Sequence, residues 1–557
     1  MIIRYMKILS CFVSVLFYLL LLHVSLVMGG QAPDAGQILQ ETAPEKHSPH
    51  TQKNFEIRPP EISGYPSKGG IIVALKGVKI VGNTVFGEDE LIRILGKVNS
   101  QTFDFSGLQG LARKITVYYK NKGYPFARAL LPSQRLENGI LKIRILEGKY
   151  GSIETWGEFA DTAKKYFSGL KSGDIIKSDI LERSTLILDD QPGISIAPVI
   201  RPGKEIGTGD LIVNVSRTSL VRGNIVLDNH GNSYTGEYRA MSDIYFDSPF
   251  MLGDQIFIRA VLSDGNLCQG SIGYSLPIGA KGLRGSIGYS HTYYEIGREF
   301  SALDAHGTAK TASFGISYPI VRSQPANLTA GISYQHKYLE DCQDATSTTA
   351  KKESDVLPFV FQFDRRDATG IFWGSIGVTF GYLSLDHTLE EQDAASRMDT
   401  RGSFQKLNIN IERLQTTPLS SLTVFGQVSA QFAADNLDSS EGFTLGGADG
   451  VRAYPQGEGA GDEGWLIQLE ARYRFGFIEP YLFYDAGYIR INAEPENIIP
   501  AVEDNTRLIS GAGIGFRIQK DDIGIDSSVA WQTSGGKPKS DSRDRDPRVW
   551  LSFFWNF

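Results

Sequence analysis

From about residue 218 to residue 557 the chain alternates apolar and polar positions with a period of two. In 465–475, Ile467, Leu469, Ala471, Tyr473 and Phe475 alternate with Gln468, Glu470, Arg472 and Arg474, so one face is apolar and the other charged. Leu407, Ile409 and Ile411 alternate in the same way with Lys406, Asn408, Asn410 and Glu412. The last residues repeat the pattern, with Val549, Leu551, Phe553, Trp555 and Phe557 set against Trp550, Ser552, Phe554 and Asn556. A soluble half-buried sheet also alternates, so one such segment decides little. Their number decides more: about sixteen candidate strands run from 218–230 to 547–557. At about ten residues each, tilted near 45°, they match the thickness of a bilayer. An even count closes a barrel with antiparallel neighbours and leaves no unpaired edge in lipid.

Upstream, the period changes. In 106–122, Leu108, Leu111, Ala112, Ile115 and Tyr119 recur at helical spacing, and Gly123 stops the helix. Strands are expected at 73–81, 125–131 and 140–146, giving a compact α/β unit over 71–150 with the order strand, helix, helix, strand, strand. A second unit over 151–217 repeats that order, with a strand at 152–155, helices at 161–170 and 178–188, and strands at 194–199 and 211–215. Tandem units of one order suggest an internal repeat, although two unrelated small α/β domains would read alike. Before them, 31–43 holds a short helix around Ile38 and Leu39, which needs a docking site to persist in water. Residues 44–70, with Pro59-Pro60 and Pro66, read as an extended linker.

The first 30 residues carry Arg4 and Lys7, an apolar run over 8–28, and then Gly29 and Gly30, the pattern of a secretory signal peptide. The run is also long enough to span a membrane, so an uncleaved anchor is the other reading. No later segment approaches the roughly 20 apolar residues of a membrane helix, so a mature protein in a membrane must be a barrel there. Past the signal only Cys268 and Cys342 remain, and their pairing cannot be read from sequence. A net charge of −7 argues against nucleic acid as a partner. The scattered histidines have no metal-ligand spacing, and no cofactor motif is present. Asp386-His387 is the nearest thing to a catalytic pair, but no nucleophile motif stands beside it.

One long loop, 433–463, interrupts the alternation with Gly446-Gly447-Ala448-Asp449-Gly450-Val451-Arg452-Ala453-Tyr454-Pro455 and a glycine-rich continuation. The run 457–461 superficially resembles a phosphate-cradling loop but lacks the following lysine and the strand-to-helix setting, so it reads as flexibility. With the loop between expected barrel strands eleven and twelve, the chain resembles the transporters of two-partner secretion, the TpsB family of hemolysin and adhesin secretion/activation proteins. Gly123-Tyr124-Pro125-Phe126-Ala127-Arg128-Ala129-Leu130-Leu131-Pro132, with Gly139 to Gly148, looks like the close of a first POTRA domain; Pro192-Gly193-Ile194 and Arg201-Pro202-Gly203 with Gly207 look like the second. Val451-Arg452-Ala453-Tyr454 matches the family's Val-Arg-Gly-Tyr/Phe loop motif except at Ala453, and Phe483-Tyr484-Asp485-Ala486-Gly487 fits its Phe/Gly-x-Asp-x-Gly strand motif.

The resemblance implies a signal peptide (1–30), a plug helix (31–43), a linker (44–70), two periplasmic POTRA domains (71–150 and 151–217) and a sixteen-stranded transmembrane β-barrel (218–557). It implies export, without catalysis, of an unfolded hemolysin- or adhesin-like client, captured at the POTRA domains along a strand edge and an apolar groove. Outer-membrane lipid and the barrel assembly machinery are the other implied partners. A β-barrel assembly factor of the same superfamily is the alternative. In the period-two reading Phe483, Asp485 and Gly487 face the lumen, where Asp485 could hold Arg452 in a charge-assisted pair. Gly487 and the column Gly511, Gly513 and Gly515 are expected to let the loop backbone lie close to the wall. Phe553, Trp555 and Phe557 form the expected aromatic end of the barrel.

Overall fold

The computed structural model describes residues 32–42, 49 and 72–557. The signal-peptide segment and, apart from Pro49, the linker lie outside the described residues. Helix α1 (Ala35–Glu41) is capped by Asp34, whose carboxylate accepts from Gln37 N at 3.0 Å. Seven residues are too few to hold a helix alone. Its stability comes from Ala35 and Ile38, both fully buried against barrel residues.

The first α/β unit contains β1 (Gly77–Val81), α2 (Glu88–Leu95), α3 (Phe105–Asn121), β2 (Arg128–Leu130) and β3 (Ile140–Leu146). Its sheet has the order β1-β3-β2, parallel then antiparallel. The strand expected over 73–81 is divided: Val73–Ala74 pairs instead with Thr102–Phe103. The break is where Leu75 turns into the core, its N–H on Gln101 O and its carbonyl on Ser100 N. Helix α3 buries Leu111, Ala112, Ile115 and Tyr119, the stripe marked by the helical period. Glu147 closes the unit, accepting from Thr84 N at 2.7 Å, Val85 N at 2.8 Å, the Tyr119 hydroxyl at 2.9 Å and the Thr84 hydroxyl. Burial alone would raise the pKa of this carboxyl; the donors around it outweigh burial and hold it below the ordinary value.

The second unit contains β4 (Lys149–Gly157), α4 (Ala160–Lys164), α5 (Ser178–Asp189), β5 (Ile194–Pro202) and β6 (Thr208–Arg217), with the sheet order β4-β6-β5. The helix expected over 161–170 is short and passes into a 3-10 turn at Lys165–Phe167, which brings Tyr166 and Phe167 into the core. The two units are joined by Ile176 N on Gly148 O at 2.8 Å and Ser178 N on Gly123 O at 2.9 Å. The second unit is fastened to the barrel. Leu252, in a barrel turn, enters its hydrophobic core, and Arg322 donates twice to Asp190, at 2.6 and 2.7 Å.

Sixteen strands then close a barrel. They are β7 (Val221–Asp228), β8 (Arg239–Asp247), β9 (Gln255–Ser263), β10 (Cys268–Pro277), β11 (Arg284–Glu295), β12 (Ala305–Arg322), β13 (Ala326–Gln343) and β14 (Thr348–Asp367), followed by β15 (Gly370–Leu385), β16 (Gly402–Thr416), β17 (Leu422–Ala433), β18 (Glu463–Tyr473), β19 (Ile478–Arg490), β20 (Thr506–Lys520), β21 (Ile523–Ser534) and β22 (Arg548–Asn556). Each pairs antiparallel with the next, and β22 closes on β7 through Ser552↔Asp228 to Asn556↔Asn224. Strands β12 to β14 run to 18, 18 and 20 residues, well beyond the roughly 10 that cross a bilayer. The alternation extends past the bilayer into this wall, and α1 packs against β12 and β13. Outward positions are exposed apolar side chains, among them Leu469, Leu482, Tyr484, Leu551, Phe553, Trp555 and Phe557. Cys268 and Cys342 are free.

Candidate functional site: a loop locked in the barrel lumen

The loop between β17 and β18 folds back on itself. A 3-10 turn at Ser439–Glu441 leads into a short ladder of Phe443–Thr444 with Ala460–Gly461, and the tip lies beyond it. Gly450 is held where a Cβ would fall 2.1 Å from Leu445 O, so only glycine permits this turn. Leu445, Val451, Ala453 and Tyr454 are fully buried and share one apolar cluster with Leu466, Tyr481, Phe483, Ile489, Ile509 and Ala530 of the wall. The loop therefore carries its own hydrophobic core into the lumen, against the expectation of flexibility.

Arg452 lies inside that cluster. Its Nε and Nη2 donate to the two oxygens of Asp485 at 2.8 and 2.7 Å, and its backbone N–H reaches Asp485 Oδ2 at 3.1 Å. Its Nη1 donates to Glu470 at 2.6 Å. The guanidinium stands 3.7 Å over the Phe483 ring, within cation–π range. Glu470 also holds Arg472 at 2.7 Å and Arg517 at 3.1 Å, and Arg517 reaches Asp526 at 2.7 Å. Arg452, Glu470 and Asp485 are buried, and the partly exposed Arg472 and Arg517 balance the second carboxylate, which offsets the desolvation that a lone buried charge would suffer. Two further bonds fix the backbone: Trp550 Nε1 donates to Arg452 O at 2.7 Å, and Gln468 Nε2 to Gly450 O at 2.9 Å.

The rest of the loop is tied to the segment between β21 and β22. The Tyr454 hydroxyl lies 2.8 and 2.9 Å from the carbonyls of Ser534 and Gly536. Glu458, fully buried, accepts from Lys539 N at 3.0 Å and Ser540 N at 2.8 Å and pairs with Arg507. The glycine-rich run 457–461 is thus a seat for this carboxylate.

The four wall glycines have different partners. A Cβ at Gly511 would meet the Ala453 methyl at 2.4 Å, and one at Gly487 would meet Leu445 at 2.7 Å, so these two admit the loop. Gly513 and Gly515 do not face the loop. Their missing Cβ atoms make room for the rings of Phe483 and Tyr481 on β19, at 2.4 and 2.3 Å. Ala453, where the motif departs from glycine, is accommodated because Gly511 faces it. Asp386 is the N-cap of a helix over His387–Ser396, accepting from Leu389 N at 2.9 Å, and His387 is exposed beside Glu391.

Helix α1 rests on the base of the same loop. Gln40 Nε2 donates to Ser439 O and Gly442 O, both at 2.9 Å, and Ser439 Oγ donates to Asp34 at 2.6 Å. Lys352 bridges Asp34 at 3.0 Å and Asp438 at 2.6 Å. Beneath, Glu441 is paired with Lys337 and Lys406.

Sequence reading singled out Arg452 and Asp485 but not Glu470, Gln468, Trp550, Glu458 or Lys352 as their companions. Glu470 and Gln468 lay on the polar side of the alternation in β18, and Trp550 on the inward side of the last strand. An indole facing a polar lumen needs a partner for its N–H, which was the available signal.

A sixteen-stranded barrel preceded by two small α/β domains, with a loop locked in its lumen, is the architecture of an outer-membrane β-barrel protein with POTRA-type domains. Residues 207–518 match the family described as haemolysin secretion/activation protein ShlB/FhaC/HecB, and residues 73–148 match the ShlB-type POTRA domain. The chain belongs to the ShlB/FhaC/HecB family and is an outer-membrane transporter of two-partner secretion, with periplasmic POTRA domains and a secreted protein as client. It is 28% identical to the heme/hemopexin transporter protein HuxB of Haemophilus influenzae strain 86-028NP, over 95% of this chain and 96% of the relative. It is 24% identical to the outer membrane transporter CdiB of Dickeya dadantii, over 72% of each. In fold it is similar to CdiB from Escherichia coli, with a TM-score of 0.69 at 18% identity over 90% of this chain and 93% of that one.

Proposed function

We propose that this transporter exports an unfolded client through the barrel lumen, with α1 as the plug and the loop bearing Arg452 as the latch that holds the closed state. The observation that carries the reading is the buried Arg452–Asp485 contact, with Glu470 beside it and α1 docked on the base of the same loop. A plug resting on a latch links two events: moving the helix breaks bonds to 438–442, and moving that segment strains the loop above it. In this reading the segments at 31–43 and 44–70 are plug and tether, 1–30 directs the chain across the inner membrane, and the barrel is inserted by the assembly machinery into outer-membrane lipid. In the same reading, client folding outside the cell supplies the driving force.

The client is a large secreted protein of the hemolysin or adhesin kind. The relative of Haemophilus is described as a heme/hemopexin transporter, so a client that engages haem or hemopexin is the first to test. The test compares proteins in the medium of cells with and without this chain, complemented by wild type or by Arg452→Ala. The expected result is one large protein that disappears on deletion, returns with wild type and stays absent with Arg452→Ala although the barrel is inserted. No change in the medium on deletion overturns the client reading. Full restoration by Arg452→Ala overturns the latch.

A further inference from the structure

Strand β7 leaves the second POTRA domain, so the loops that follow the odd-numbered barrel strands lie at the outer end of the barrel. Three of them meet there: 229–238 between β7 and β8, 296–304 between β11 and β12, and 535–547 between β21 and β22. The meeting point is Glu237, whose side chain is 16% exposed. Its carboxylate accepts from Arg543 and, at 3.1 Å, from Arg545, both of 535–547, and Arg298 of 296–304 stands 3.7 Å away. Two flanking loops thus put guanidinium groups on one carboxylate, and Asp541 takes part of the charge of Arg543 at 3.3 Å. The backbone follows the side chains, since Arg298 also donates to Ser233 O, and Gly297 N donates to Tyr234 O at 2.9 Å.

The underside of 229–238 rests on α1. Tyr234 is buried in one cluster with Ala35 and Ile38 of the helix and with Leu267, Ile296 and Leu339 of the barrel. The ring of Phe300, from 296–304, meets Tyr234 edge-on with 5.1 Å between centroids. Beside them the buried Asn232 donates to Glu41 at 3.0 Å and accepts from Tyr234 N at 2.9 Å. Ala35 and Ile38 are the fully buried members of this cluster that do not belong to the barrel. Withdrawing α1 leaves a gap beneath Tyr234 and takes the acceptor from the Asn232 amide, and both losses weaken the loop above. The loop 535–547 is held from a second side as well, where Lys539 N and Ser540 N donate to Glu458 of the loop that bears Arg452.

We propose that the loops 229–238, 296–304 and 535–547 form a lid over the exit of the barrel, with Glu237 as its clasp and α1 as its floor, so that departure of the helix opens the outer end as it clears the lumen. The proposal rests on the export reading above and adds to it an exit gate with residues of its own. The arginines of the clasp are partly exposed, so each ion pair is weak by itself, and the clasp holds only while the floor keeps the three loops in register. Opening of the lid then follows departure of the helix without a separate signal.

The test uses the full-length chain in cells, with Cys268→Ser and Cys342→Ser and one reporter, Thr235→Cys, at a position 1% exposed beneath the lid. A membrane-impermeant maleimide added to intact cells is expected to leave this thiol largely unlabelled. Deleting residues 31–42 and, separately, Glu237→Gln are each expected to raise labelling several-fold, with heat-modifiable migration showing that the barrel is folded. In a chain with Glu237→Cys and Arg543→Cys in place of the reporter, a short bis-maleimide is expected to bridge the lid and stop the client from reaching the medium, compared with the same cells without the reagent. Labelling that neither change raises, or undiminished secretion from bridged chains, overturns the lid. Labelling raised by Glu237→Gln alone overturns α1 as its floor, and labelling raised by the deletion alone overturns Glu237 as its clasp. The export reading stands in each case, because it is decided by whether the client depends on this chain to reach the medium. If Glu237→Gln fails to insert, Arg543→Gln with Arg545→Gln tests the same clasp.

Discussion

Arg452 and Asp485, 33 residues apart, meet through two side-chain hydrogen bonds of 2.8 and 2.7 Å, and the backbone of the arginine adds a third at 3.1 Å. Removing one partner of so shielded a pair leaves the other charge unpaired, at a cost on the order of 3–5 kcal/mol, against under about 1 kcal/mol for an exposed pair. Arg452→Lys is expected to fail nearly as fully as Arg452→Ala, because a single ammonium cannot reproduce the fork that reaches Asp485 and Glu470 together. Asp485→Asn is expected to be milder than Asp485→Ala, since the amide oxygen still accepts. Secretion assays, with heat-modifiable migration as the check on barrel folding, measure both.

Ala453 and Gly511 make a paired fit, with the methyl on the loop and the bare backbone on the wall. Ala453→Gly is expected to secrete normally. Gly511→Val is expected to displace the loop and abolish secretion, because a Cβ there would fall 2.4 Å from the Ala453 methyl. Protease cleavage within the loop of the purified barrel reads the displacement directly.

Lys352 holds Asp34, the cap of α1, and Asp438 of the loop base at once. Lys352→Met is expected to loosen both contacts and raise single-channel conductance in planar bilayers. Deleting residues 31–42 is expected to raise it further, and equal conductance in all three proteins would contradict a plug at this position.

The first POTRA domain has an acid-sensitive fastening. With its folded-state pKa held below the unfolded value, Glu147 contributes stability that is complete above the unfolded value, about 4.3. That contribution is lost as pH falls through the lower folded value. Calorimetry of the detergent-solubilised chain between pH 7 and pH 3 is expected to show the POTRA transition shifting down on acidification. In Glu147→Gln the transition should start lower and move less over that range.

Much of the architecture was legible because a bilayer imposes strict rules. Every backbone group in lipid must be paired, so strands have a near-fixed length and alternate strictly, and sixteen such segments can be counted one by one along the chain. The helix over 105–121 was equally plain, since Leu111, Ala112, Ile115 and Tyr119 repeat at its period. The break at Leu75 was not, because it depends on a contact with Gln101 that local pattern does not encode. The extra length of β12 to β14 was also missed: above the bilayer, alternation is no longer held to a fixed span.

By itself the sequence determined the barrel, its strand count, the two domains before it and which face of each strand meets lipid, because these follow from periodicity and solvent. It also placed Arg452 on a loop and Asp485 on an inner wall. Only the tertiary structure decided that Glu470, Gln468 and Trp550 complete the seat of that arginine, that Gly511 receives Ala453 while Gly513 and Gly515 serve aromatic rings, and that α1 lies on the loop. Those relations join residues from strands far apart in sequence across a closed lumen. They depend on strand register, barrel closure and the path of a loop, and the alternation of a single strand specifies none of these.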